Sequence, residues 1–150
     1  MKIYIDTSVL NGFFCQDPAI KLATADFFKR VQTKHYVLYG SELVADEIRE
    51  TPDRKLRQAL VDLLQKYEMK ILSLSQEVKK LAQCYVDEKI IPKKYLADAL
   101  HIATAAKHNV PVLVSWNFEH IVKHKTRIEV NCIHQTMDLP QIDICSPQEV

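Results

Sequence analysis

Short apolar runs alternate with longer stretches of helical spacing along the chain. The first run, Ile3-Tyr4-Ile5, is closed by Asp6 and followed by Thr7, Ser8, Val9 and Leu10. It predicts a buried strand running into a helix start. Ile20, Ala23, Phe27 and Val31 form a stripe, and Asp17-Pro18 supplies an N-cap and a first helical residue, so a helix is expected over residues 17–33. Residues 36–39 read as a strand ending at Gly40, with Ser41 placed to cap a helix that runs to about residue 50. Thr51-Pro52 is expected to open a further helix carrying Leu56, Leu60, Leu63, Leu64 and Tyr67. Residues 69–72 read as a short strand, and Ser75 as the start of a helix that ends by Pro92. The alanine-rich residues 94–108 predict a helix and residues 111–115 a buried strand. Residues 118–124 suggest a short helix, and residues 128–133 and 142–145 two further strands. Alternation of this kind predicts a parallel sheet between two helical layers, a three-layer α/β/α sandwich. The chain has 150 residues, no internal repeat and no linker, which suits one domain over residues 1–150.

Against this pattern, four polar residues stand in apolar settings. Asp6 ends the first strand, where open α/β sheets place their ligand crevice. At about 100° per residue, Glu47 falls between Leu43 and Val44 on its helix, while Glu42, Asp46 and Glu50 fall on the other side. The same projection puts Asp98 beside Tyr95, Ile102 and Ala105. Asn117 follows the strand at 111–115 as Asp6 follows the first. Ionised carboxylates without partners are costly to bury. If the four converge, a cation belongs among them. Oxygen donors alone suit Mg²⁺ or Mn²⁺ rather than Zn²⁺. Such an ion can activate a water for attack on a phosphodiester and stabilise the leaving oxygen, with no histidine base required. Singly, each acid reads more simply as a cap or a solvated residue; the joint pattern carries the metal reading.

Composition narrows the alternatives. The net charge of +1 leaves no global field for nucleic acid, so any such contact must come from local clusters. Two glycines, Gly12 and Gly40, are too few for a Walker or dinucleotide-binding loop. Four scattered cysteines, the lack of a leader-like segment and the lack of a long apolar run point to a reduced, cytoplasmic protein outside the membrane. Asp-nucleophile phosphatases carry a second Asp two residues after the first, where this chain has Ser8. A receiver domain would carry an acidic pair a strand before its phosphorylated Asp, and Asp6 stands alone.

The segments IDTSVL around Asp6, SELVADEI around Glu47, DALHIATA from Asp98 and VLVSWNFEHI around Asn117, with the ending IDICSPQEV, resemble the PIN-domain family, and its VapC-like toxin branch in particular. The resemblance spans nearly the whole chain in order and spacing. It implies a metal-dependent endoribonuclease with a central parallel sheet. Asp6, Glu47 and Asp98 then match the acids that bind Mg²⁺ or Mn²⁺. Asn117 matches a fourth position that is Asp in many relatives, so one charge is missing and the case for a second metal weakens. Asn117 would orient the attacking water. Thr7 and Ser8 match the hydroxyl positions beside the first Asp. The branch further implies a homodimer, and a small antitoxin that silences the toxin. The Asn also opens the alternative of a PIN domain that binds RNA or protein without cutting.

The remaining features read more plainly. His101 projects away from the stripe and suggests packing or surface, although it lies one turn after Asp98. His120 and His124 lack a third zinc ligand and read as a solvated pair. Trp116 can stack on a base but reads first as a core residue. Of the basic clusters at 54–57, 93–94 and 123–127, Lys93 and Lys94 are expected to be best placed for RNA phosphates, since they precede Asp98 by about one turn.

Overall fold

The computed structural model describes residues 1–150. Five strands form one parallel sheet: β1 (Lys2–Ile5), β2 (Val37–Ser41), β3 (Lys70–Leu72), β4 (Val112–Val114) and β5 (Asp143–Cys145), in the order β3-β2-β1-β4-β5. Seven helices accompany them: α1 (Thr7–Asn11), α2 (Pro18–Thr33), α3 (Glu42–Arg49), α4 (Arg54–Lys66), α5 (Gln76–Asp87), α6 (Leu96–Lys107) and α7 (His124–Thr136).

Alternate residues of each strand feed two cores. Ile3, Ile5, Leu38 and Val114 pack with α1 to α4, against Phe27, Phe28, Val44, Ile48 and Leu60. Tyr4, Leu113 and Ile144 face the other way, into α5, α6 and α7. A strand buried on both faces must be apolar throughout, which explains the continuous runs in the sequence. The chain builds outward from β1 through β2 to β3, then returns to the opposite edge of β1 with β4 and β5. Strand order therefore reverses between β1 and β4. Connections leaving two such strands diverge and open a crevice at the carboxyl ends. Asp6 follows β1 directly and Ser115 follows β4, so both stand at that reversal.

Five helices end in one way. His35 (φ 52°), Glu68 (48°), Lys89 (60°), Asn109 (54°) and Asp138 (55°) lie in the left-handed region just past α2, α4, α5, α6 and α7. From the next residue an N–H reaches back into the last turn: Tyr36 to Val31, Met69 to Leu64, Ile90 to Tyr85, Val110 to Ala105 and Leu139 to His134. These are Schellman closures, each followed by an apolar residue that packs inward. Glycine usually fills the left-handed position, but this chain keeps its two glycines elsewhere. Gly12 is one of them: a Cβ there would lie 2.3 Å from Thr24 Oγ1 and 2.9 Å from Trp116 Nε1. Those two atoms are themselves hydrogen-bonded at 3.0 Å across the glycine, the indole N–H donating.

Several boundaries differ from the sequence reading. Asp53, not Thr51-Pro52, caps α4, by accepting from Leu56 N at 3.0 Å. Ser41 occupies the N-cap position of α3, but its hydroxyl is bonded to Tyr4 instead of to a helix N–H. Residues 118–123 form turns and a bend rather than a helix, with His124 opening α7, and residues 128–133 are not a strand but the middle of α7. The β-branched residues there resemble a strand locally. Burial instead follows a spacing of four, through Thr126, Val130 and His134, and only a helix puts those on one face. Two polar side chains of α7 find partners across the fold: Asn131 exchanges hydrogen bonds with the backbone of Ile142, and His134 lies between Tyr85 and Pro140.

His134 has its Nδ1 bonded to the Pro140 carbonyl at 2.9 Å, which requires a proton there, and its Nε2 bonded to the Tyr85 hydroxyl. Burial raises the Tyr85 phenol, so the phenol keeps its proton and donates it to Nε2. The ring is thus a neutral acceptor at Nε2. Burial foremost, aided by the charge of Lys107, holds its pKa below the usual histidine value.

Replacing Glu68 or His35 with glycine should raise stability by roughly 0.5–1 kcal/mol, the left-handed strain relieved less the added entropy of the unfolded glycine; urea unfolding midpoints check this, and Asn109→Gly should gain less. Because His134 is depressed in the fold, the unfolded chain binds more protons as pH falls below about 6.5. His134 should therefore cost stability in acid, so wild type should lose more of its midpoint between pH 7.5 and 5.5 than His134→Asn, measured on both proteins.

Candidate active site

The site is built from a carboxylate set into the reversal of the sheet. Asp6 is 4% exposed. Its oxygens are divided between two hydroxyls: Ser8 Oγ donates to Oδ1 at 2.5 Å and Ser115 Oγ donates to Oδ2 at 2.6 Å. Val9 N also donates to Oδ1 at 3.3 Å, making Asp6 the N-cap of α1. Ser8 in turn accepts from Trp116 N at 2.9 Å, and Ser115 from Asn117 N at 2.9 Å. The carboxylate thus ties the loop after β1 to the loop after β4. Burial pushes its pKa up; the charge of His101 and the hydrogen bonds pull the other way without cancelling the burial.

His101 occupies the centre. Its Nε2 lies 2.9 Å from Glu47 Oε1 and its Nδ1 lies 2.7 Å from the Tyr4 hydroxyl, which is 2.9 Å from Ser41 Oγ. Burial alone would depress this imidazole, but the Glu47 hydrogen bond and the charges of Asp6, Glu47 and Asp98 outweigh it and raise the pKa. Burial likewise acts to raise Glu47, and His101, helped by Thr7, reverses that and holds the carboxyl below its usual range. Tyr4 is pushed far up by burial and stays protonated. With an imidazolium at His101, Nδ1–H donates to Tyr4 and Tyr4 donates to Ser41; with a neutral ring, Tyr4 donates to Nδ1.

Asp98 stands on the first turn of α6, half-buried. Its Oδ2 is 3.0 Å from His120 Nδ1, and the His120 ring lies against Tyr95 with centroids 3.9 Å apart. Asn117 stands beside Asp98, and its Oδ1 accepts from Glu119 N at 3.2 Å and His120 N at 3.0 Å. Burial raises Asp98; Asn117 and the charges of His120 and His101 oppose it only in part.

Asp6, Glu47 and Asp98 thus come from three elements to one rim, each within electrostatic reach of His101. Asn117 joins them through Asp98, and Ser8 through Asp6. Thr7 Oγ1 is buried beside Glu47 but completes no hydrogen bond of good geometry, an open polar valence inside the site. Lys93 and Lys94 are exposed on a 3₁₀ turn ahead of α6, with Lys94 Nζ over the Tyr95 ring at 5.7 Å. Trp116 is partly buried against the Ile3 core.

The sequence assigns no site role to Tyr4 and Ser115, and suggests packing or surface for His101 and a solvated pair with His124 for His120. The wheel argument misplaced His101 because α6 is not amphipathic there: Ala99, His101, Ile102, Ala103, Thr104, Ala105 and Ala106 are all buried, so no solvent side exists. His120 does not pair with His124. It sits in a turn before α7 and belongs to Asp98. A signal for Ser115 was present in the matched hydroxyls, Ser8 after the first strand and Ser115 at the end of the fourth.

The donors are chemically right for a hard divalent ion: three carboxylates, a carboxamide and an unsatisfied hydroxyl. Within the cluster, protein donors hold the carboxylates. Glu47 is engaged by His101, Asp98 by His120 and Asp6 by two serines. No three His, Cys, Asp or Glu side chains are drawn close enough to close around an ion as they stand. Holding one requires the side chains of Glu47 and Asp98 to turn toward Asp6, which their partly exposed positions allow. The set fits a divalent ion on those terms.

The fold is similar to a chain of VapBC2 from Rickettsia felis, crystallised bound to a DNA fragment from its promoter, with a TM-score of 0.60, 14% identity, and 97% of this chain and 98% of that chain covered. It is also similar to VapC20 of Mycobacterium tuberculosis, a Sarcin-Ricin loop cleaving toxin, with a TM-score of 0.57, 12% identity, and 79% of this chain and 92% of that chain covered. At these identities the likeness is one of fold. No curated protein matches the chain in sequence. No helix is long and apolar enough to cross a membrane. A sequence match to the PIN domain runs over residues 3–119, from β1 past Asn117, and the chain belongs to the PIN-domain family.

Proposed function

We propose that this protein is a Mg²⁺- or Mn²⁺-dependent endoribonuclease and the toxin of a toxin–antitoxin pair. The observation that carries the reading is the gathering of Asp6, Glu47 and Asp98 around one buried imidazole at the reversal of the sheet. A cluster of that charge, centred on a single titratable cation, has the electrostatics of a site completed by a metal. RNA as substrate is supported by the family and by the cleaving activity named for VapC20. A partner antitoxin is supported by the likeness to a VapBC2 chain. A homodimer and a cytoplasmic location are parts of the proposal that follow from the family resemblance.

Asp6, Glu47 and Asp98 would hold the ion, which when bound supplies water activation and neutralises charge at the phosphate. Ser8 and Ser115 fix both oxygens of Asp6, so this ligand is set before substrate arrives. Asn117 stands beside Asp98 and pins the turn that carries His120. Lys93 and Lys94 flank Asp98 and would meet RNA phosphates.

A second reading draws on the same residue. The Asn117 carboxamide oxygen is spent on two backbone N–H groups, and a carboxylate is missing where many relatives have one. A PIN domain that binds RNA or a protein without cutting is the outcome this would favour. Incubation of the purified protein with RNA and Mn²⁺ or Mg²⁺, against an EDTA control, separates the two.

Asp6→Asn or Asp98→Asn should abolish cleavage, a loss of at least about 10²-fold, while circular dichroism and melting stay close to wild type, because asparagine is also a good N-cap at position 6 and Asp98 is half-buried and caps no helix. Retained cleavage in either variant contradicts the mechanism. Mn²⁺ should raise the melting temperature of wild type, with EDTA reversing the gain, since a ligand of the native state stabilises it; Asp6→Asn should show little or no gain.

A further inference from the structure

A polar cleft of about 260 Å³ lies beside the carboxylates, lined by Lys89, Pro92, Glu119, His120, Lys123 and Lys125, with Ile90 and Thr126 behind them. His120 belongs to both places: it lines the cleft and its Nδ1 is 3.0 Å from Asp98 Oδ2. The cleft therefore begins one side chain away from the candidate metal site. We infer that this cleft seats a backbone phosphate of single-stranded RNA next to the phosphodiester presented to Asp6, Glu47 and Asp98, with Lys89, Lys123 and Lys125 as its cationic contacts. The inference rests on the nuclease reading above and names the path its substrate takes.

Charge is the first argument. The chain as a whole is nearly neutral, so three ammonium groups around one small cavity form a local concentration. The one carboxylate in the lining, Glu119, is 77% exposed and lies 3.7 Å from His120 Nε2. It does not pair with any of the three lysines. Lys125 has a partner in Glu129 at 3.8 Å, but with the lysine side chain 64% exposed the pair is worth little and is readily exchanged for phosphate. The nearby Arg127 is committed to Glu149 through two 3.0 Å contacts and stands outside the cleft.

The second argument is construction. The three lysines come from separate places, the left-handed residue after α5 and the two sides of the α7 start, and the fold brings them together. Thr126 Oγ1 donates to the His120 carbonyl at 2.8 Å, and Asn117 holds the His120 N–H, so the turn between is fixed from both ends. The apolar cavity on the other side of the site, lined by Phe14, Ile20, Leu56 and Trp116, offers no cation and suits no phosphate. Of these two cavities only the first is lined by cations. Lys93 and Lys94 sit just past Pro92, at the edge of this cleft rather than in it.

The test uses the whole protein. Binding of a fluorescent single-stranded RNA dodecamer is measured by anisotropy across a salt series, in EDTA so that nothing is cut. The variant Lys89→Gln/Lys123→Gln/Lys125→Gln is compared with wild type and with Lys21→Gln/Lys29→Gln/Lys34→Gln on and beside α2, across the sheet. Exposed lysines leave the fold intact, which a melting curve verifies. The cleft variant should bind at least about tenfold more weakly, and its slope of log affinity on log salt should flatten by roughly 0.7, the amount for the one phosphate no longer neutralised. The α2 variant should match wild type. In Mn²⁺, the cleft variant should raise KM for the dodecamer with kcat nearly unchanged, and should leave a dinucleotide, too short to enter the cleft, cleaved as in wild type. An unchanged salt slope with wild-type cleavage intact overturns the cleft while the nuclease stands. Loss of binding to an acidic peptide with RNA binding intact gives the cleft to a protein and also overturns it. Wild type that neither binds nor cuts RNA removes the nuclease reading, and the cleft with it.

Discussion

Everything at the active rim depends on keeping one carboxylate out of water. Asp6 is buried at the reversal of strand order, where the fold offers it two serine hydroxyls, a backbone N–H and a neighbouring imidazole. Without them a buried charge there would cost several kcal/mol. With them it joins the loops after β1 and β4 into one piece. The same requirement accounts for Ser115, for the orientation of Asn117, and for the Tyr4 hydroxyl that reaches His101 from the opposite core. The arrangement of the acidic cluster and the local stability of the two loops are in this sense one problem with one set of hydrogen bonds.

The two cores divide the work. The side built from α1 to α4 is aliphatic and aromatic, with Phe27, Phe28 and Ile48 almost fully enclosed. The side built from α5 to α7 carries two buried histidines, His101 and His134, each held by a tyrosine from another element. His134 is fixed neutral by burial, whereas His101 is held toward its charged form by three acids. Two histidines with similar tyrosine contacts thus differ because their other neighbours differ.

The sequence was most informative where local spacing and tertiary demand agreed. The apolar runs of β1, β2 and β4, the Asp17-Pro18 start of α2 and the Ser75 cap of α5 are all found in the structure. It misled where the two disagreed. Residues 128–133 have strand-like composition but lie in a helix whose Asn131 and His134 find partners just before β5 and on α5, which no local window contains. The acids stood out in the sequence because a carboxylate in an apolar run is conspicuous. The histidines beside them did not, because their contacts with Glu47 and Asp98 exist only once α3, α6 and the turn after β4 meet.

The short chain from Ser41 through Tyr4 to His101 can run in either direction. When the ring carries two protons, donation passes from His101 to Tyr4 to Ser41; when it carries one, the phenol turns its proton toward the ring. Neither state asks a heavy atom to move. A full unit of charge can therefore come and go at the heart of the site while the backbone and every side-chain rotamer keep their places. Such a change would be visible to nuclei that sense protons, as in neutron diffraction or ¹⁵N spectroscopy of the imidazole, before it left any trace in the shape of the molecule.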